Sequence, residues 1–196
     1  MSRFHEARFL MSAAAPRQFP PDLGAEVAFV GRSNAGKSSA INAIAQRHGL
    51  ARTSKTPGRT QLLNFFELAP ERRLVDLPGY GYADVTAAQR RAWVPLIEAL
   101  RARESLRGLF VIVDARRGVG EGDEELLEWA GPARRIHVLL SKCDKLGRGE
   151  ASAAVRAAEA ALAGRSSVQL FSALRGTGVA EARDTLADWL GIRDRK

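Results

Sequence analysis

Residues 31–38 read Gly-Arg-Ser-Asn-Ala-Gly-Lys-Ser, a complete G-x-x-x-x-G-K-[ST] loop. A loop of this spacing turns its backbone N–H groups toward an anion, and Gly31 and Gly36 allow the close wrap. Lys37 is expected to reach the β- and γ-phosphates of a nucleotide, and the Ser38 hydroxyl to bind Mg²⁺. The flanks suit this reading. Val27-Ala28-Phe29-Val30 is an apolar run fit for a buried strand, and Ser39-Ala40-Ile41-Asn42-Ala43-Ile44 opens a helix. The positive end of that helix dipole adds to the anion site.

Three further segments follow, each after an apolar run. Asp76-Leu77-Pro78-Gly79 is a D-x-x-G motif behind Leu74-Val75. A carboxylate at that strand end can hold the Mg²⁺ shell, and Gly79 leaves an N–H free to meet a γ-phosphate. Ser141-Lys142-Cys143-Asp144 follows Ile136-His137-Val138-Leu139-Leu140 and resembles the [NT]-K-x-D guanine-recognition motif. A carboxylate at Asp144 accepts from guanine N1–H and N2–H₂, which adenine cannot supply, and the Lys142 stem would cover the base. Phe171-Ser172-Ala173-Leu174 follows Val168-Gln169-Leu170 and resembles the S-A-[LK] loop whose backbone N–H faces guanine O6. As an ordered set the four describe a small GTPase domain. Position 141 holds Ser where the pattern has Asn or Thr; its hydroxyl can still support the phosphate loop.

The wording goes further than that superfamily. Gly31–Ser39, Ser54-Lys55-Thr56-Pro57-Gly58-Arg59-Thr60-Gln61, Asn64-Phe65-Phe66 and Asp76-Leu77-Pro78-Gly79-Tyr80-Gly81-Tyr82 are similar to the EngB family. That family, also called YihA or YsxC, contains bacterial ribosome-assembly GTPases of the TRAFAC class. The similarity runs from about Phe9 to Leu190, and the block at 54–61 is its specific part. Departures are Ser141, Cys143, Ala35 and a Pro95 inside an expected helix. The resemblance implies a nucleotide site of Gly31, Arg32, Ser33, Asn34, Ala35, Gly36, Lys37, Ser38 and Ser39, with Gly58, Arg59, Thr60, Gln61 and Leu62. Asp76, Leu77, Pro78 and Gly79 join it, with Ser141, Lys142, Cys143 and Asp144, and with Phe171, Ser172 and Ala173. It implies Mg²⁺ held by Ser38, Thr60 and, through water, Asp76. It also implies a GTP-driven switch for the large ribosomal subunit, needed for normal cell division and septation.

A chain of 196 residues, 45% hydrophobic and 27% charged, suits one globular domain. No run approaches the roughly eighteen apolar residues of a membrane span, and Phe9-Leu10-Met11 is too short for a signal-peptide core. The single cysteine, Cys143, excludes an internal disulfide and fits a reducing cytoplasm. His5, His48 and His137 lack metal-ligand spacing, and His137 reads as a packed strand residue. The net charge of +8 suits a polyanionic partner such as ribosomal RNA. Arginine pairs such as Arg116-Arg117 also fit a solvated surface in an Ala- and Arg-rich chain.

An N-terminal arm is expected over 1–21, a G domain over 22–192 and a basic tail over 193–196. Strands are expected near 26–30, 61–67, 72–76, 108–114, 136–140 and 167–171. Helices are expected near 37–47, 86–103, 121–130, 149–163 and 177–190. The pattern predicts a Ras-like three-layer α/β fold: a six-stranded, mostly parallel sheet with one antiparallel edge pair and helices on both faces. Trp93, Trp129 and Trp189 fall on helix faces and read as core. The nucleotide is expected at the carboxyl ends of the strands, bound by a monomer.

The chemistry expected is GTP hydrolysis by water, with Lys37, Thr60, Asn34 and Gly79 as the acting groups. Residues 50–60, with Arg52, Lys55 and Arg59, read as switch I, and Gly79 to about Ala87 as switch II. Tyr80 stands where Ras-like enzymes keep a water-orienting glutamine, so intrinsic turnover is expected to be slow. For Asn34 two readings stay open: a ligand for K⁺ beside the phosphates, or a residue that bonds only within its loop. Two rival functions are a nucleotide-operated RNA-binding chaperone that needs only GTP binding, with hydrolysis incidental, and a small-molecule kinase, in which Ser141–Asp144 has no use.

Overall fold

The computed structural model describes residue 4 and residues 6–52, 62–80, 87–131 and 134–192. Lys55, Gly58, Arg59, Thr60 and Gln61 lie outside the described residues, as do most of the expected switch II and the basic tail.

Among the described residues seven strands form one sheet: β1 (Arg8–Ala13), β2 (Ala25–Gly31), β3 (Leu63–Ala69), β4 (Arg72–Asp76), β5 (Leu106–Asp114), β6 (Arg135–Ser141) and β7 (Ser167–Leu170). Their order is β1-β3-β4-β2-β5-β6-β7. β2 is parallel to β4 and β5, and β6 is parallel to β5 and β7. β3 is antiparallel to both of its neighbours, β1 and β4. The pattern predicted six strands and one antiparallel pair. The difference is β1, drawn from the expected arm. It lies at the sheet edge, where backbone pairing to β3 holds it and no alternating apolar face is needed. Its Phe9 is 54% exposed, yet the ring still meets Phe66 edge-on with centroids 5.8 Å apart.

The helices are α1 (Lys37–Ala45), α2 (Ala87–Arg101), α3 (Glu121–Ala130), α4 (Arg148–Leu162) and α5 (Val179–Leu190). Strand alternation sorts side chains between the two faces. Val27 and Phe29 of β2, with Phe110 and Ile112 of β5, pack with α1 and α5. Ala28 and Val30, with Leu109, Val111 and Val113, pack with α2, α3 and α4. All seven residues of β2 are buried, which fits a central parallel strand covered on both faces. Trp189 packs on Phe110 and His137, while the Trp129 indole N–H donates to Glu98 at 2.9 Å. Trp93 has no described side chain. Pro95 lies inside α2. No helix among the described residues is long and apolar enough to cross a membrane.

The end of β2 away from the phosphate loop carries a buried ionic knot. Glu26 is fully buried, with Arg73 Nη1 2.6 Å from Oε1 and Arg103 Nε 2.6 Å from Oε2. The two guanidinium groups also donate to the carbonyls of Pro20, Pro21 and Leu23. The knot therefore joins β2, β4, the segment after α2 and the end of the expected arm. Removing one partner from such a knot leaves buried charge uncompensated. Glu26→Gln should lower the unfolding free energy by about 3–5 kcal/mol in urea titration; a loss below about 1 kcal/mol would show that the guanidinium groups find other acceptors.

Candidate functional site

The carboxyl ends of β2, β4, β5, β6 and β7 open onto one mouth. β2 ends at Gly31, which lies beside Ile112 of β5. A Cβ on Gly31 would sit 2.6 Å from the Ile112 carbonyl oxygen, so only glycine permits this approach. The loop then turns through left-handed backbone at Asn34 (φ 63°) and Gly36 (φ 99°) and enters α1 at Lys37. The α1 N-terminus thus faces the concavity of the loop.

The D-x-x-G segment continues from β4 along the phosphate loop. The Leu77 N–H donates to the Phe29 carbonyl at 3.0 Å, Tyr80 N–H to the Gly31 carbonyl at 3.2 Å, and Ser33 N–H to the Tyr80 carbonyl at 2.9 Å. The Tyr80 hydroxyl donates to Asp123 at the start of α3. Burial and that carboxylate push the Tyr80 phenol well above its ordinary range.

Asp76 closes β4 as a buried carboxylate in contact with the Lys37 ammonium. Burial pushes its carboxyl up, while Lys37 and a hydrogen bond from Asn64 oppose the shift. The sheet register explains the Asn64 contact, because Ser12, Asn64 and Asp76 are neighbours across β1, β3 and β4. The Ser12 hydroxyl donates to Asn64 Oδ1 at 2.6 Å. That leaves the Asn64 amide nitrogen for Asp76. Ser38 is half-buried in the first turn of α1. A hydroxyl and a buried carboxylate beside a phosphate loop are hard oxygen donors and fit Mg²⁺.

On the other side, β6 ends at Ser141. Its hydroxyl lies 2.5 Å from the Ala35 carbonyl oxygen and 3.1 Å from that of Val113. Lys142 is left-handed (φ 58°), and its Nζ lies 2.5 Å from the Asn34 carbonyl and 2.9 Å from Asp114 Oδ2. Cys143 is buried in the short 3₁₀ turn Cys143–Lys145, which pushes its thiol up. Its N–H donates to the Phe171 carbonyl at 3.2 Å. The Ser172 hydroxyl donates to Asp144 at 2.6 Å and holds that carboxyl below its ordinary range. Loop 171–178 is closed by Ser172 N–H to the Thr177 carbonyl and Gly176 N–H to the Ser172 carbonyl, each 2.9 Å. Leu174 is 74% exposed at its tip. His137 is packed behind this loop, between Ser167 at 2.6 Å and Gln169 at 2.8 Å. Burial lowers its pKa. The Gln169 amide then donates to the Gly178 carbonyl at 2.8 Å.

Hydrogen bonds thus bring Ser33 together with Tyr80, Asn34 and Ala35 with Lys142 and Ser141, and Asp144 with Ser172, while Gly79 stands in close approach to Ser33. Gly58, Arg59, Thr60 and Gln61 lie outside the described residues, while Leu62 directly precedes β3. Two residues of the mouth escaped the sequence reading. Asp114 closes β5 and accepts from Arg116 at 2.9 and 2.7 Å as well as from Lys142. The Arg116 guanidinium holds it well below the carboxylate range. Its signal was an aspartate closing an apolar strand, as Asp76 does. Asp123 accepts both the Tyr80 hydroxyl and, at 2.9 Å, the Gly120 N–H that opens α3. A cavity of about 300 Å³ adjoins the phosphate loop, lined among others by Arg32, Asn34, Asp114, Arg116 and Arg117.

A phosphate loop between β2 and α1, a D-x-x-G strand beside it and an S-K-x-D loop tied to the phosphate loop and to the end of β5 define a P-loop GTPase. Comparison with known proteins narrows the class. A family model described as a 50S ribosome-binding GTPase matches residues 26–142. The probable GTP-binding protein EngB of Azoarcus sp. is 53% identical over 196 residues, spanning 97% of this chain and 94% of that protein. That of Aromatoleum aromaticum is 53% identical over 197 residues, spanning 98% and 91%. The crystal structure of a probable GTP-binding protein engB superposes with a TM-score of 0.67 at 19% identity, covering 86% of this chain and 100% of that one. The chain belongs to the EngB family.

Outer residues that orient a ligand-bearing carboxylate typically contribute about 10–100-fold to metal affinity. Asn64→Leu should therefore weaken Mg²⁺ binding to the GDP-bound protein by at least about tenfold in a metal titration. An unchanged titration would show that Asp76 needs no orientation from β3.

Proposed function

We propose that the chain binds GTP with Mg²⁺, hydrolyses it slowly to GDP and phosphate, and acts as a switch in assembly of the large ribosomal subunit. One observation carries the nucleotide part. The carboxylate suited to guanine, Asp144, and the phosphate loop belong to one hydrogen-bonded frame, through Ser172, Lys142 and Ser141. Lys37 and the loop amides would hold the β- and γ-phosphates, and Gly79 would offer its N–H to the γ-phosphate. Ser38, Thr60 and, through water, Asp76 would hold Mg²⁺, which when bound neutralises triphosphate charge. The Asn34 side-chain carbonyl is a hard oxygen at the exposed mouth, suited to K⁺. Slow turnover is supported by Tyr80, whose hydroxyl is engaged by Asp123 and not free to orient water.

The ribosomal part is supported by the +8 charge, the exposed Arg116 and Arg117 at the cavity rim, and the family resemblance. The partner proposed is the large-subunit precursor and its RNA, met by a cytoplasmic monomer. A requirement in cell division and septation belongs to the same proposal.

An acceptor carboxylate left unpaired against adenine loses a charge-assisted bond of about 1.5–3 kcal/mol. Titration calorimetry should therefore show GTP and GDP binding roughly 10–150-fold tighter than ATP. Asp144→Asn should move preference to xanthosine nucleotides, which present the complementary acceptor. Equal affinity for ATP and GTP would remove the guanine reading.

Sedimentation with ribosomal particles tests the second part. The protein should travel with large-subunit particles in GTP and not in GDP, and salt should weaken the association steeply as phosphate contacts release counterions. Arg116→Glu with Arg117→Glu should weaken sedimentation more than GTP binding. Association insensitive to salt would mean that the excess charge serves solvation only.

A further inference from the structure

Ser33 is the one phosphate-loop side chain whose polar atom is buried and unpartnered. Its Oγ has no hydrogen-bond partner among the described residues. Its backbone N–H is already given to the Tyr80 carbonyl. The hydroxyl stands against Gly79, because a Cβ built on Gly79 would lie 3.0 Å from Ser33 Oγ and 3.2 Å from its Cα and N. Neither neighbouring polar side chain is bonded to it. The Tyr80 hydroxyl is bound by Asp123, and the Arg32 guanidinium lies toward Gly120, whose added Cβ would be 3.9 Å from Nη1.

A buried hydroxyl without a partner costs free energy and calls for an explanation. Here it lies where the phosphate loop meets the glycine whose N–H is suited to a γ-phosphate. Resting on the GTP-binding reading, we infer that the Ser33 hydroxyl donates to a γ-phosphoryl oxygen and so discriminates GTP from GDP. In the GDP state the hydroxyl keeps no acceptor. In the GTP state it gains one, at the junction between Ser33 and Gly79. A contact made in one state and not the other is what shifts a two-state equilibrium. The junction of the two loops is thereby biased closed by the triphosphate, through a side chain in addition to the backbone.

The test compares the full-length wild type with Ser33→Ala and Ser33→Thr, in Mg²⁺, using GDP and a non-hydrolysable GTP analogue. Ser33→Ala should bind GDP within about twofold of wild type and the analogue about tenfold more weakly or worse, the scale of one hydrogen bond to a charged group. Ser33→Thr, which keeps the hydroxyl, should recover most of that loss. Without nucleotide, Ser33→Ala should melt at or above the wild-type temperature, since it removes an unsatisfied polar atom. Analogue affinity unchanged in Ser33→Ala overturns the assignment. Equal loss of GDP and analogue also overturns it and leaves Ser33 a shape-setting loop residue. Wild-type protein that binds neither nucleotide overturns the GTP-binding reading itself, and this assignment with it.

Discussion

At the carboxyl end of β4 a buried carboxylate, Asp76, meets the Lys37 ammonium from the first turn of α1. Burying a carboxylate is unfavourable unless a cation and hydrogen-bond donors compensate it. Lys37 and Asn64 do so, and each is placed by a separate piece of architecture. Lys37 needs the strand, loop and helix to follow one another without insertion. Asp76 needs β4 beside β2, in parallel register with Phe29. Asn64 needs β3 antiparallel to β4, and Ser12 of β1 in turn orients Asn64. A triphosphate with a divalent cation would offer both partners something stronger. The ammonium would take phosphate oxygens and the carboxylate the water shell of the metal.

The same parallel sheet keeps function and support at opposite ends. At the phosphate-loop end the backbone leaves its ladders, and polar groups from three neighbours hold it: Ile112 by close approach, Tyr80 by main-chain bonds, and Ser141 with Lys142 by side chains. At the other end, Glu26 and two arginines bind the chain entering β2 to the rest of the sheet. The mouth is therefore assembled from loops, but its geometry is set by strands that cannot slide past one another.

Much of this was legible because the motifs carry their own geometry. The phosphate loop, Asp76, the Ser141–Asp144 turn and the Phe171–Ala173 turn each follow an apolar run, and each run is a strand of the sheet. β1 was not legible as a strand. Its Phe9-Leu10-Met11 run is short, and its pairing depends on β3, fifty or more residues away by register. Asp114 was missed because no motif contains it; its meaning comes from Lys142 and Arg116 converging on it. The Tyr80–Asp123 contact and the unpartnered Ser33 hydroxyl are long-range in the same sense. Spacing places a residue in a loop, but only the fold shows what stands opposite it.

The mouth's chemistry turns on what Lys37 and Asp76 do when nucleotide arrives. The most direct measurement is a crystal structure of the full chain with Mg²⁺ and a non-hydrolysable GTP analogue. Lys37 Nζ should be parted from Asp76 and bonded to β- and γ-phosphate oxygens, with Asp76 facing a water of the metal. A complex in which Lys37 remains on Asp76 while the nucleotide lies elsewhere would contradict this role for the pair.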